Sequence, residues 1–246
     1  MGVPTTAESG AGLAGSSKTG TVRGRHDHVM PFEPSPAGAV FTAPAEYIDS
    51  DHPCVAATAG TLAEDDAAAT LIALYEFVRD LPYEADDFED LETYRASHTL
   101  AVGHGYCVSK AGLFAALVRA AGFPARVGFA DVRNHLASPR LTAAMGTDVF
   151  AWHGYGEVYA GGRWIKVSPT FDTRTCERAG VEPLGFNGRD DALLQSFDGG
   201  GTLRYERFHG AFHDVPARFL AAEMPRLYPF TRNGGLAAFK RDEQVQ

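Results

Sequence analysis

The sequence predicts an α+β fold in which a buried helix packs on an antiparallel β-sheet. Residues 107–121 are apolar nearly all round, with Val108, Ala111, Leu113, Phe114, Leu117 and Val118 spread over every face; a helix of that pattern is enclosed by protein. Residues 148–172 hold two aromatic and β-branched runs on either side of Gly161–Gly162, a two-residue hairpin signal. The chain has 246 residues and is 45% apolar, enough for one substantial core.

Taken in chain order, residues 1–39 are rich in Gly, Ala, Ser and Thr without periodicity and are expected to form a disordered arm and linker. GAGLAG (Gly10 to Gly15) matches GxGxxG in form, but no strand precedes it and no helix follows, so it fails as a dinucleotide site. One domain is expected over residues 40–230, with a flexible tail over 231–246. Thr61 and Glu64 form a capping box ahead of Leu71, Ile72, Leu74, Tyr75 and Val78, which predicts a helix ending near Asp80. Glu84 to Glu92, EADDFEDLE, is expected as a solvated loop.

The buried helix begins at Cys107 and is closed by Gly122 with Pro124 just beyond. Arg126 to Val132 reads as a strand. Ser138–Pro139 starts a short helix reaching about Gly146. In the hairpin register, Tyr159 faces Trp164 and Glu157 faces Lys166, an expected cross-strand ion pair. Continuing that register sets His153 opposite Thr170, with Ser168 and Asp172 as its diagonal neighbours.

Cys107 carries the functional question. The unpaired N–H groups and dipole at a helix start favour a thiolate, whereas a buried helix cysteine is by default a small apolar filler. A histidine with a carboxylate beside it is an oriented base, for which such a cysteine is a natural nucleophile. Cys54 and Cys176 have no basic partner and are expected to be structural, and His135 is expected to serve a loop. His209 and His213 have i, i+4 spacing without a third ligand cluster, and no phosphate loop is present, so no metal or other cofactor is expected. The net charge of −9 disfavours nucleic acid or an anionic membrane as main partner, and no apolar run has the length of a membrane span. Three widely spaced cysteines suggest a reducing, cytoplasmic setting.

GYCVSKAGLFAALVRAAGFPAR followed by HGYGEVYAGGRWIKVSPTFD resembles the core of the transglutaminase-like superfamily, relatives of papain-type thiol enzymes, and YRASHTL and TCERAGVEPLGFNGRDD are similar to a bacterial subgroup. The resemblance implies a transglutaminase/papain-like catalytic domain, with Cys107 as nucleophile and His153 as base. Where the family has the Asp of Asp-Pro-Thr, this chain has Ser168; Asp172 is the expected orienter and Ser168 the fallback. The implied activity is cofactor-independent acyl transfer from a peptide, protein or small acyl or amide substrate, through an acyl-enzyme, to water (protease or amidase) or an amine. The alternatives are an acyltransferase acting on carrier-bound thioesters and a non-catalytic binding module of the same fold.

Overall fold

The computed structural model describes residues 1–2, 38–134, 137–193 and 204–244. The expected N-terminal arm with its GAGLAG motif, and His135, therefore lie outside the described residues. The chain divides into two units, residues 1–33 and 34–246, and all the described helices and strands belong to the second.

Two helices open that unit: α1 (Pro53–Leu62) and α2 (Ala67–Arg79). The cap of α2 differs from the expected one. Thr61 lies inside α1, where its hydroxyl donates to Ala57 O, and Asp66 caps α2 by accepting from Ala69 N at 3.0 Å. A capping side chain has to sit one residue before the first helical turn, and Asp66 is the polar residue there. Residues 84–92 run as a loop into a 3-10 turn over Leu91–Tyr94, with Tyr94 fully buried. Next come α3 (Ala96–Val102) and α4 (Cys107–Ala120). α4 ends as expected: Gly122 takes a φ of 90° and Phe123 N returns to Val118 O.

β1 (Ala125–Arg133), α5 (Pro139–Met145), β2 (Val149–Ala160), β3 (Arg163–Val167), α6 (Thr173–Ala179), β4 (Arg204–Phe212), α7 (Ala217–Leu227) and α8 (Gly235–Gln244) complete the described chain. The strands form one antiparallel sheet of order β3-β2-β1-β4. The β2–β3 register is the expected one, from Ala160 opposite Arg163 to Gly156 opposite Val167, around Gly161 and Gly162, both in positive φ. Glu157, however, makes its ion pair with Arg126 at 2.6 Å rather than with Lys166. Arg126 is its direct neighbour on β1, and its longer planar fork matches a carboxylate better than an ammonium does. Residues 231–244, expected as a flexible tail, fold instead into the end of a 3-10 turn and α8, with Thr231 and Leu236 buried.

α4 packs on the sheet, yet it is not simply apolar. Lys110 is fully buried and its ammonium donates to three backbone carbonyls, Arg79 O, Leu81 O and Thr170 O, at 2.7–2.9 Å. Arg119, at the other end, donates to Ala43 O, Ala125 O and His213 O. Buried cations persist only when their donors are matched, so Lys110 ties two segments to α4 and Arg119 three. Burial pulls the Lys110 pKa down to about 7, opposed by the charges of Asp172 and Asp80. Lys110→Met would leave three buried carbonyls without a donor. The expected loss is about 3 kcal/mol of unfolding free energy, measured by urea denaturation; an unchanged midpoint would show that the anchor contributes nothing.

Candidate active site

Cys107 is the first residue of α4, entered through an extended Tyr106 whose N–H is taken by Ser109 Oγ at 3.0 Å. The approach is fixed by a short parallel bridge between Tyr83 and Gly105, with Glu84 N donating to Gly105 O and Gly105 N to Pro82 O. His153 lies on β2, and the next residue, Gly154, sits directly on the start of α4. A Cβ at Gly154 would stand 2.8 Å from Val108 Cα and 3.1 Å from Cys107 O. Glycine is required there because backbone, which cannot give way, occupies the space. Two residues on, a Cβ at Gly156 would meet the Phe114 ring at 2.6 Å. Cys107 and His153 thereby line one cavity of about 150 Å³.

The two candidates for orienting His153 separate in the structure. Ser168 Oγ lies 3.4 Å from His153 Nε2 and is itself hydrogen-bonded to Thr170 Oγ1 at 2.8 Å. Asp172 is not brought to the imidazole. It caps α6, accepting from Thr175 N at 3.0 Å and Thr175 Oγ1 at 2.7 Å, and it accepts from Tyr83 N at 2.8 Å. The β2–β3 ladder stops at Val167, after which Ser168 N pairs with Ala192 O. The chain then turns into α6, which carries Asp172 away from the extrapolated strand. Burial alone would raise the Asp172 carboxyl. Its bonds from Thr175 and Tyr83, with the Lys110 charge, bring it below the ordinary carboxylate range. Asp172 thus serves as counter-charge to Lys110 and as anchor of the Tyr83 backbone.

Burial favours the neutral form of both Cys107 and His153. Burial pushes the Cys107 thiol up to about 11, outweighing the lowering effect of the Gly154, Val108 and Cys107 N–H groups and of the Tyr83 hydroxyl beside it. Burial likewise drives His153 down to about 4. The helix-start effect expected to favour a thiolate is present, but desolvation is larger. A neutral imidazole can accept a proton, so the pair suits proton transfer in step with attack rather than a standing ion pair.

Sequence reasoning missed three contributors. Tyr83 stands beside the thiol, placed by Asp172 through its backbone. Lys110 binds the carbonyl of Thr170, whose hydroxyl holds Ser168. Trp152, next to His153, takes a φ of 58°, strained for an aromatic residue, at a bulge where β1–β2 pairing slips between Ala130 and Val132. Asp131 accepts from Trp152 N and contacts His209 Nε2 at 2.7 Å, and His209 stacks on Trp152 at 4.1 Å. His209 therefore belongs to this brace, and among the described residues no group of three or more metal-ligating side chains is assembled. Only the Gly-x-Gly pattern of residues 154–156 and the lone lysine in an apolar helix hinted at any of this.

Iodoacetamide alkylation of Cys107 is expected to rise with pH through and beyond pH 9, without a plateau below pH 7; a flat rate below pH 7 would establish a standing ion pair instead. Between pH 6.5, the ordinary imidazole value, and about 4, unfolded chains take up a proton that native His153 does not. This contribution to stability, full above pH 6.5, is lost as pH falls through that window, and His153→Gln should flatten that limb of the pH–stability profile. Gly154→Ala is expected to lower stability by roughly 1–3 kcal/mol and slow Cys107 alkylation.

Residues 56–169 match the family model of the transglutaminase-like superfamily, a span that includes Cys107, His153 and Ser168 and stops short of Asp172. No curated protein matches the chain. Among solved structures, a candidate cysteine protease from Cytophaga hutchinsonii aligns with 19% identity over 72% of this chain and a TM-score of 0.45. The alignment spans about half, 47%, of that protein's own chain. Over residues 56–169, just under half of its length, the chain is thus similar to the transglutaminase-like superfamily, and that stretch holds the buried helix and most of the antiparallel sheet.

Proposed function

We propose that this protein is a cofactor-independent thiol enzyme that forms an acyl-enzyme on Cys107. The observation that carries the reading is the shared cavity of Cys107 and His153, with Ser168 on His153 Nε2. That bond leaves Nδ1 as the nitrogen available to the thiol. In the acylation step the Cys107 sulfur bonds to the carbonyl carbon and its proton passes to His153. The carbon–heteroatom bond of the substrate then breaks, and His153 returns the proton to the leaving group. Water or an amine, deprotonated by the same imidazole, releases the acyl group. The N–H groups of Cys107, Val108 and Gly154, together with the Tyr83 hydroxyl, are the donors nearest the sulfur and are suited to the developing oxyanion.

Ser168 is the positioning residue in this reading, and it supplies no charge. The imidazolium that forms in the transition state is held by a hydroxyl chain, Ser168 to Thr170, in place of a carboxylate. A second reading, transfer from carrier-bound thioesters, draws on a groove of about 890 Å³ that shares Tyr83 with the cavity and is walled in part by Arg174 and Arg178; those guanidinium groups suit a phosphate-bearing handle. The neutral resting pair would equally suit a non-catalytic domain, so the covalent step is the discriminating one.

Incubation with activated acyl esters, followed by intact-mass and peptide analysis, is expected to show one acyl adduct on Cys107, absent in Cys107→Ala and slowed at least ~100-fold in His153→Ala. Ser168→Ala is expected to lower acylation about tenfold or more, whereas Asp172→Asn acts chiefly on stability. Absence of any adduct under conditions where Cys107 is alkylated would refute the enzyme reading, and a larger specific loss in Asp172→Asn than in Ser168→Ala would return the orienting role to Asp172.

A further inference from the structure

The cavity at Cys107 has a composition that the acyl-transfer reading does not require. Its walls come from four separate parts of the fold: Leu141 and Met145 of α5, Phe150 and Trp152 of β2, the loop bearing Phe88, and the C-terminal segment from Met224 to Leu236. The polar groups on this lining are largely committed elsewhere. The Thr231 hydroxyl donates to Tyr228 O. The Tyr228 hydroxyl accepts from Ala151 N at 2.7 Å and donates to Val149 O. Apart from the reacting pair and the Tyr83 hydroxyl beside the thiol, the polar side-chain groups left on this lining are the buried Tyr106 hydroxyl, close to Tyr94, and the indole N–H of Trp152.

Resting on the acyl-enzyme reading, we propose that this chamber selects the acyl group, and that the substrate class is an apolar acyl donor of benzene or branched-aliphatic size, such as a benzoyl or isovaleryl group. Size argues for it: a volume of about 150 Å³ with a mostly apolar lining matches a benzene-sized guest. Polarity argues against the alternatives. A carboxamide brings two donors and an acceptor with two lone pairs, and a carboxylate brings a charge. One hydroxyl and one indole N–H match neither set, and the unpaired remainder would bear the cost of desolvation. An acetyl group fits but leaves most of the chamber empty, forfeiting its contacts. The acyl carbonyl remains at the rim, beside the sulfur and its N–H donors, while the leaving group lies toward the wider groove beyond Tyr83.

The test compares 4-nitrophenyl acetate, isovalerate, benzoate, octanoate and succinate, reading nitrophenolate release and the mass adduct on Cys107. Each rate is divided by that of a small free thiol with the same ester, which removes intrinsic reactivity. Isovalerate and benzoate are expected to exceed acetate by about tenfold or more, with succinate slowest. Met145→Trp, which fills the chamber, should lower the benzoyl-to-acetyl ratio. Phe150→Ala, which enlarges it, should move the optimum toward octanoyl. Opposite shifts in two variants cannot come from misfolding alone. Acetate or succinate reacting as fast as benzoate would overturn the proposal while leaving the thiol enzyme standing. If no ester acylates Cys107, thermal shift with benzamide, acetamide and succinamate separates the two ideas. Stabilisation by benzamide alone would keep the chamber's selectivity and sink only the chemistry; stabilisation by none, or by all equally, would sink the chamber too.

Discussion

The contact between Gly154 and the first turn of α4 is the constraint on which the site depends. Cys107 and His153 come from a helix and a strand far apart in sequence, and the interval between them is set by how closely backbone meets backbone. With Val108 Cα under 3 Å from where a Cβ would sit, β2 rests on α4 without a side chain between them. Gly156 continues the approach along the Phe114 ring. The helix is then tied along its length by Lys110 near one end and Arg119 at the other, each gathering carbonyls from chain segments distant in sequence.

That arrangement explains the electrostatics. A cleft open to water would let the helix start and its N–H groups depress the thiol. Here the walls around Cys107 and His153 remove much of their solvent, and desolvation dominates both shifts. In the proposed reaction the donors around the sulfur would act once negative charge appears, in the transition state rather than the ground state.

Much of this was legible in the sequence wherever the signal was local. The glycine pair at 161–162 set the hairpin and its register, and the Gly122–Pro124 stop and Ser138–Pro139 start marked helix limits, because each acts within a few residues. The placement of Cys107 at a helix start and of His153 on a strand was legible for the same reason. What failed depended on distant partners. Extrapolating the ladder past Val167 put Asp172 beside His153, but the edge pairs with Ala192 and turns into α6. Asp66 displaced Thr61 as a cap because α1 claimed Thr61 first. The C-terminal segment was expected as a flexible tail because its contacts involve residues more than a hundred positions away, as in the bond between Asn233 N and Glu89.

Lys110 also bears on how the molecule breathes. Its ammonium holds the carbonyls of Arg79, Leu81 and Thr170 at once, so releasing any one segment strands a buried charge that still needs the others. Fraying at the end of α2, at the turn before Tyr83 or at the exit from β3 therefore cannot proceed piecemeal. The floor beneath Cys107 is therefore expected to exchange its amide hydrogens as one cooperative unit, and the outer strand β4, exposed along most of its length, is expected to open at lower cost.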